Sequence, residues 1–358
     1  MPSATLALIV GLSIIAQPGV AKQPDVAKPA AMSAPKATGP FHVEATFSVG
    51  GEGSWDYITL DPEANRLYVP RSTRVMVLDA QTGKPVGEIG ETAGVHGVAL
   101  APLLNKGFTS NGKAGTVTIF DLKTLKALQT VKVGENPDAI LFEPTTKRVF
   151  VFNGKSKDAT VFGAEDGTVV QTIPMGGKPE FAVEDGAGKV YVNVEDTSEL
   201  LRVDAKTMTV EKRFSLAPGE EPSGLAIDAV HKRLFAVCAN QKVVVVDAES
   251  GKVLASPTIG KGVDGASFDA VGGFALASNG EGTLSVVSTK SDTFEVVQTL
   301  ATAPRARTLT IDPKSRRIYL PTAEFEPLPD APKDAPKSAQ RPRPAMKPGS
   351  FKIIVVAP

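Results

Sequence analysis

The sequence predicts an all-β fold, a seven-bladed β-propeller of four-stranded antiparallel blades, on three observations. From about residue 53 a Gly/Pro lead-in, an apolar run, an Asp-Pro-like turn, a β-branched or aromatic run and a hairpin of the type V-x-V-x-D-A-x-T-G-K recur seven times. The turns that mark the copies begin at Asp61, Ala101, Glu143, Asp185, Asp228, Asp269 and Asp312, a period of about 42 residues, which suits a four-stranded blade. Helical periodicity is absent throughout, and the apolar runs are the short β-branched and aromatic segments that strands require.

The elements follow in chain order. Residues 1–21 open with an uncharged apolar stretch, Met1 to Ala16, too short to span a bilayer, and continue through the small residues Gly19-Val20-Ala21. They are read as a signal peptide, so the mature chain is expected in the periplasm or secreted, with no membrane span. Residues 22–40 are Ala, Pro and Lys with little else; they hold too few apolar side chains to offset the entropy of ordering and are read as a disordered linker. Residues 41–358 are read as one propeller, because no blade can bury its own apolar face alone.

In the first copy Tyr57–Leu60, Leu67–Val69, Val75–Leu78 and Val86–Ile89 are expected strands, with a tight turn at Gln81-Thr82-Gly83-Lys84. The last copy supplies strands near Thr308–Ile311, Ile318–Leu320 and Phe351–Val356 and then stops one short. The alternating segment over 41–49 is expected to complete that blade, closing the ring and removing an exposed edge. Residues 323–350, rich in proline, interrupt the seventh copy and are read as an extended loop insertion.

The lead-ins Gly134-Glu135-Asn136-Pro137 and Gly219-Glu220-Glu221-Pro222, the strands beginning Arg66-Leu67-Tyr68-Val69, Arg148-Val149-Phe150-Val151 and Arg317-Ile318-Tyr319-Leu320, and the hairpin Val243 to Val253 resemble the bacterial YVTN-type (YncE-like) seven-bladed β-propeller family. The nearest versions of its name-giving tetrad are Phe150-Val151-Phe152-Asn153 and Phe108-Thr109-Ser110-Asn111. The resemblance covers residues 41–358. It implies an exported binding or scaffold repeat protein, WD40-like in its blades, and it brings no catalytic set. With one tryptophan, Trp55, the chain cannot repeat the Trp-Asp signature of WD40 blades themselves.

Composition narrows the function. The 358 residues carry 39 basic and 39 acidic side chains, so no net positive charge holds the chain on phosphate backbones or anionic membranes, and no nucleic-acid partner is expected. Cys238 is the sole cysteine, which excludes an intrachain disulfide and Cys-x-x-Cys metal or haem signatures; its strand setting predicts a buried thiol. Three histidines, His42, His96 and His231, are too few for a multicopper cluster. His42 and His231 are read as structural or solvated.

In a propeller the first strand of each blade lines the channel. Five residues before each turn stand Asp56, His96, Asp138, Glu180, Ser223, Asp264 and Arg307, which should form one ring at the channel mouth. His96 is expected between Asp56 and Asp138, and Arg307 between Asp264 and Asp56. No cation is expected between Asp138 and Glu180. Blade four is one residue short near Asp185, which bears on Glu180. Ten residues after the turn come Arg71, Asn111, Asn153, Cys238, Asn279 and Thr322; the amides Asn111, Asn153 and Asn279 are candidate ligand contacts, although such side chains also serve backbone bonding.

Acids concentrated in one register raise one another's pKa unless a cation intervenes. The leading expectation is therefore a non-enzymatic propeller that binds a small polar or peptide ligand, or a protein partner, at this face. No cofactor is predicted, a divalent cation at the acidic ring is compatible with it, and a monomer is expected. The alternative is a lactonase-like hydrolase with His96 as base, Asp56 or Asp138 orienting it and Arg307 stabilising an oxyanion. Ser223 stands nearly opposite His96, so hydrolysis would use water. Single-stranded nucleic acid binding ranks third, because the ring is acidic with only Trp55 and Tyr57 nearby.

Overall fold

Seven four-stranded antiparallel sheets stand in a ring in the computed structural model, which describes residues 1–2, 39–327 and 344–358. Nearly all of the expected signal peptide (1–21) and linker (22–40), and residues 328–343 of the Pro-rich insertion, lie outside the described residues. The only helical elements among the described residues are two single turns, Pro102–Leu104 and Glu195–Thr197, and no described helix is long and apolar enough to cross a membrane.

The first blade comprises Thr59–Asp61, Arg66–Arg71, Arg74–Asp79 and Pro85–Ile89. Local chemistry sets its turns. The carboxylate of Asp61 accepts the amides of Glu63 and Ala64, and Asp79 does the same for Gln81 and Thr82, each an Asx turn that reverses the chain without tertiary help. Asp121, Asp204 and Asp247 repeat the second device in later blades.

The closing blade is split as the sequence implies. His42–Ser48 pairs antiparallel with Lys352–Ala357, outside Ile318–Thr322 and the short inner strand Thr310–Ile311. Two interactions pin this clasp. Gln298 in blade six accepts the Phe41 amide at 3.0 Å and donates to its carbonyl at 2.7 Å, and Arg317 donates two parallel bonds to the Glu44 carboxylate at 2.7 and 2.8 Å.

The core is divided among the seven blade interfaces. Phe150 and Phe152 of blade three, for example, pack with Val190 and Val192 of blade four, and Ile353 and Val355 of the closing blade meet Leu67 and Val69 of the first. Each wedge buries one face of two neighbouring sheets, so the ring folds as a unit.

Candidate functional site at the channel mouth

Five of the seven ring residues sit where the inner strand breaks register; Asp56 and Arg307 precede the short inner strands Thr59–Asp61 and Thr310–Ile311. The pairing of inner strand with second strand shifts between Val95 and Val98, Pro137 and Ile140, Pro179 and Ala182, Pro222 and Leu225, and Val263 and Gly265. His96, Asp138, Glu180, Ser223 and Asp264 all fall inside those bulges, a device that re-aims a side chain away from the regular alternation. In blade four the missing residue lies in the turn, where Asp185 is followed by Lys189 across the hairpin, so Glu180 keeps its place in the ring.

The bulged backbone is latched from the preceding blade. Ser110 donates to the Asp138 carbonyl, Asn193 donates to the Ser223 and Gly224 carbonyls at 2.9 and 3.1 Å, and Ser278 donates to the Arg307 carbonyl at 2.5 Å. Thr308 of blade seven closes the circuit on the Asp56 carbonyl at 3.0 Å. The ring backbone is thus held by second-strand polar groups at Asp138, Ser223 and Arg307 and by the inner-strand Thr308 at Asp56.

The side chains meet in the expected order. His96 Nδ1 lies 2.6 Å from Asp56 Oδ2 and 3.6 Å from Asp138 Oδ1, and Arg307 contacts Asp264 directly while its other nitrogen is 3.9 Å from Asp56 Oδ1. Ser223 Oγ faces the Val263 carbonyl at 3.4 Å and forms no bond with His96. The expectation that no cation stands between Asp138 and Glu180 needs correction. Lys178, two residues before Glu180 and so on the same side of the chain, lies 2.5 Å from Glu180 Oε1 and also pairs with Glu195.

Below the ring the channel is blocked. The position after each ring residue carries Tyr57, Gly97, Ala139, Phe181, Gly224, Gly265 and Thr308; Tyr57 and Phe181 meet across the channel with ring centroids 4.9 Å apart. A cavity of about 60 Å³ remains among these residues, room for a few waters. The mouth is a cup with an apolar floor, and burial there drives its titration. Burial pushes the Asp138 carboxyl up to about 6, reinforced by Asp56 and opposed by His96. Asp264 is raised to about 7 by burial despite Arg307, and Glu180 to about 8 by burial and the facing charge of Asp138. Glu195 moves the other way: against its own burial, hydrogen bonds from Glu180 and Lys178 hold its carboxyl down. Burial would lower His96, but its bond to Asp56 and the charge of Asp138 raise it.

Asp56, His96 and Asp138 present three donor atoms within 4.8 Å of one another, a mixed oxygen and imidazole set that a divalent cation can use. Asp138 Oδ1 is buried without a hydrogen-bond partner among the described residues.

The second-strand residues are placed differently from the ring. Asn111, Asn153 and Asn279 are fully buried, and their amides donate to Thr118, Thr160 and Ser285 on the third strand of the same blade; they tie second strand to third strand within a blade and are not ring contacts. Cys238 is buried with its thiol pushed up to about 12 by burial. Arg71 is wholly buried over the Phe351 ring and donates to the carbonyls of Gly50, Gly51 and Gly53. His231 bonds the turn carboxylate of Asp228 at 2.7 Å, on the exposed end of a strand connection. Sequence reasoning missed Lys178, Glu195 and the Tyr57 plug; the first carried a signal, since a lysine two positions before a ring residue shares its face.

No protein-family model matches the chain, and no curated protein matches it in sequence. A solved structure does. Kuenenia stuttgartiensis hydrazine synthase superposes with a TM-score of 0.66 and 15% sequence identity over 78% of this chain and 94% of that one. The likeness is one of fold.

Proposed function

We propose that this protein is an exported, non-enzymatic propeller that binds a small polar ligand bearing positive charge, a divalent cation or a protonated amine, in the cup at the channel mouth. The observation that carries the reading is Asp138: a buried carboxylate oxygen without a hydrogen-bond partner among the described residues, facing His96 and Asp56 and held at a raised pKa by burial. Five carboxyl groups, Asp56, Asp138, Glu180, Glu195 and Asp264, converge there with Lys178 and Arg307 as permanent cations. With two permanent cations for five carboxyl groups, the desolvated cup holds protons on Asp138, Glu180 and Asp264, and a bound cation can take their place. Export rests on the apolar leader, and the likeness to YVTN-type propellers supports a binding role. A thermal-shift screen with chelator, divalent cations and small amines tests it, because a ligand of the native state must raise the melting temperature; a shift lost in Asp138→Asn supports the reading, and no shift with any cation overturns it.

One observation favours a second reading. The Asp56 carboxylate holds His96 Nδ1 at 2.6 Å, the arrangement that leaves Nε2 to act as a base toward water. Lactone or ester hydrolysis abolished by His96→Gln would establish it.

A further inference from the structure

Beside the ring, and adjoining the proposed cation site through Arg307, a second pocket opens whose chemistry is the reverse. Its volume is about 460 Å³, within the range of small-molecule sites. Trp55, Phe325, Pro344 and Met346 form apolar walls, Arg305 supplies the charge, and Arg307 lines the side toward the ring. We propose that this pocket binds a small aromatic carboxylate, its ring among Trp55, Phe325 and Met346 and its carboxylate on Arg305.

Three features argue for a built site. The walls are fixed: Phe325 bridges Met346 across the base of the insertion, and the Trp55 ring packs 6.0 Å from Phe325 and 5.5 Å from Phe351. The Gly50–Gly53 loop that delivers Trp55 is clamped by the three hydrogen bonds from buried Arg71. Second, the cation is uncommitted. Arg307 is spent on Asp264 and Asp56, whereas Arg305 pairs with no carboxylate among the described residues and sits with its guanidinium carbon 3.8 Å over the Phe325 ring centroid. That cation–π contact holds the guanidinium ready for bidentate pairing with a carboxylate. The backbone pays for the placement, since Arg305 is a non-glycine residue at φ +66°. Third, Trp55 Nε1 is a buried donor without an acceptor among the described residues, on a side chain that lines the pocket.

Trp55 is the chain's one tryptophan and lines the pocket, so no second indole obscures its response. Titration of the full chain with phenylacetate should change Trp55 emission saturably, with phenylacetamide and phenethylamine at least tenfold weaker. Arg305→Gln, exposed and so expected to fold with an unchanged melting temperature, should weaken phenylacetate tenfold or more, and Arg305→Lys by less. Equal responses to the acid and the amide, an unchanged titration in Arg305→Gln, or no saturation by phenylacetate would overturn the proposal. Cation binding at the ring is read separately by the thermal-shift screen, so either idea can fail without the other.

Discussion

The hydroxyl of Tyr57 in the first blade lies 3.3 Å from Glu180 Oε2 in the fourth, a hydrogen bond that spans the channel and sets the floor of the cup. Burial and the charges of Asp138, Asp264, Glu180 and Asp56 push the phenol well above its ordinary pKa, so Tyr57 stays a neutral donor. Tyr57→Phe keeps the plug and removes the donor. It should lower stability by about 1 kcal/mol, the net worth of a buried hydrogen bond, whereas Tyr57→Ala should cost about 3–5 kcal/mol by opening a cavity. Urea denaturation of both variants checks the difference.

Stability should fall as pH rises from about 5 to about 8. Asp138, Glu180 and Asp264 have native pKa values raised to about 6, about 8 and about 7, so in this window the native state holds protons that the unfolded chain has released. Their contribution is complete below the ordinary carboxylate range and is lost as pH climbs through the native values. His96, also raised, acts in the same direction. Asp264→Asn should flatten the slope; a stability that rises across this window contradicts the burial argument. Saturating cation should flatten it too, because the cation replaces the protons.

Gly224 lets the inner strands of blades five and six approach closely. A Cβ there would lie 2.6 Å from the Asp264 carbonyl and 2.7 Å from the Ala266 amide nitrogen, both backbone, so neither can swing away. Gly224→Ala should destabilise by about 1–3 kcal/mol and disturb Asp264 in the ring. Gly97→Ala, whose Cβ would meet side chains at 3.2 and 3.3 Å, should be milder. Thermal unfolding of the pair makes the comparison.

The clasp can be loosened without touching the cup. Gln298→Ala removes both bonds to Phe41 and should cost about 1–3 kcal/mol through the unpaired Phe41 backbone groups. Cation-induced thermal shifts should persist in this variant; their loss would tie the site to ring closure.

Much of this was legible in the sequence because it repeats. Seven Asp-like turns fixed the strand spacing, and the same count placed Asp56, His96, Asp138, Glu180, Ser223, Asp264 and Arg307 in one circle. The Asn111, Asn153 and Asn279 side chains show where counting stops: a strand position gives the blade end, but whether an amide faces the channel or the next strand depends on the third-strand hydroxyls of Thr118, Thr160 and Ser285. Lys178 reaches Glu180 from the lead-in, outside the repeated register, and the Tyr57 bond to Glu180 joins residues 123 apart, a relation that no local pattern encodes. The aromatic pocket depends on Phe325 and Met346 meeting across the insertion, again a tertiary event.

The central claim is that a cation displaces protons from the cup, and calorimetric titration of Mn²⁺ into the full chain at pH 6.5, in two buffers of different ionisation enthalpy, tests it most directly. Saturable binding with proton release, weakened at least tenfold in Asp138→Asn, is the result expected from a buried carboxyl raised to about 6 beside His96 and Asp56. Binding without proton release, or binding that Asp138→Asn leaves intact, would contradict the account.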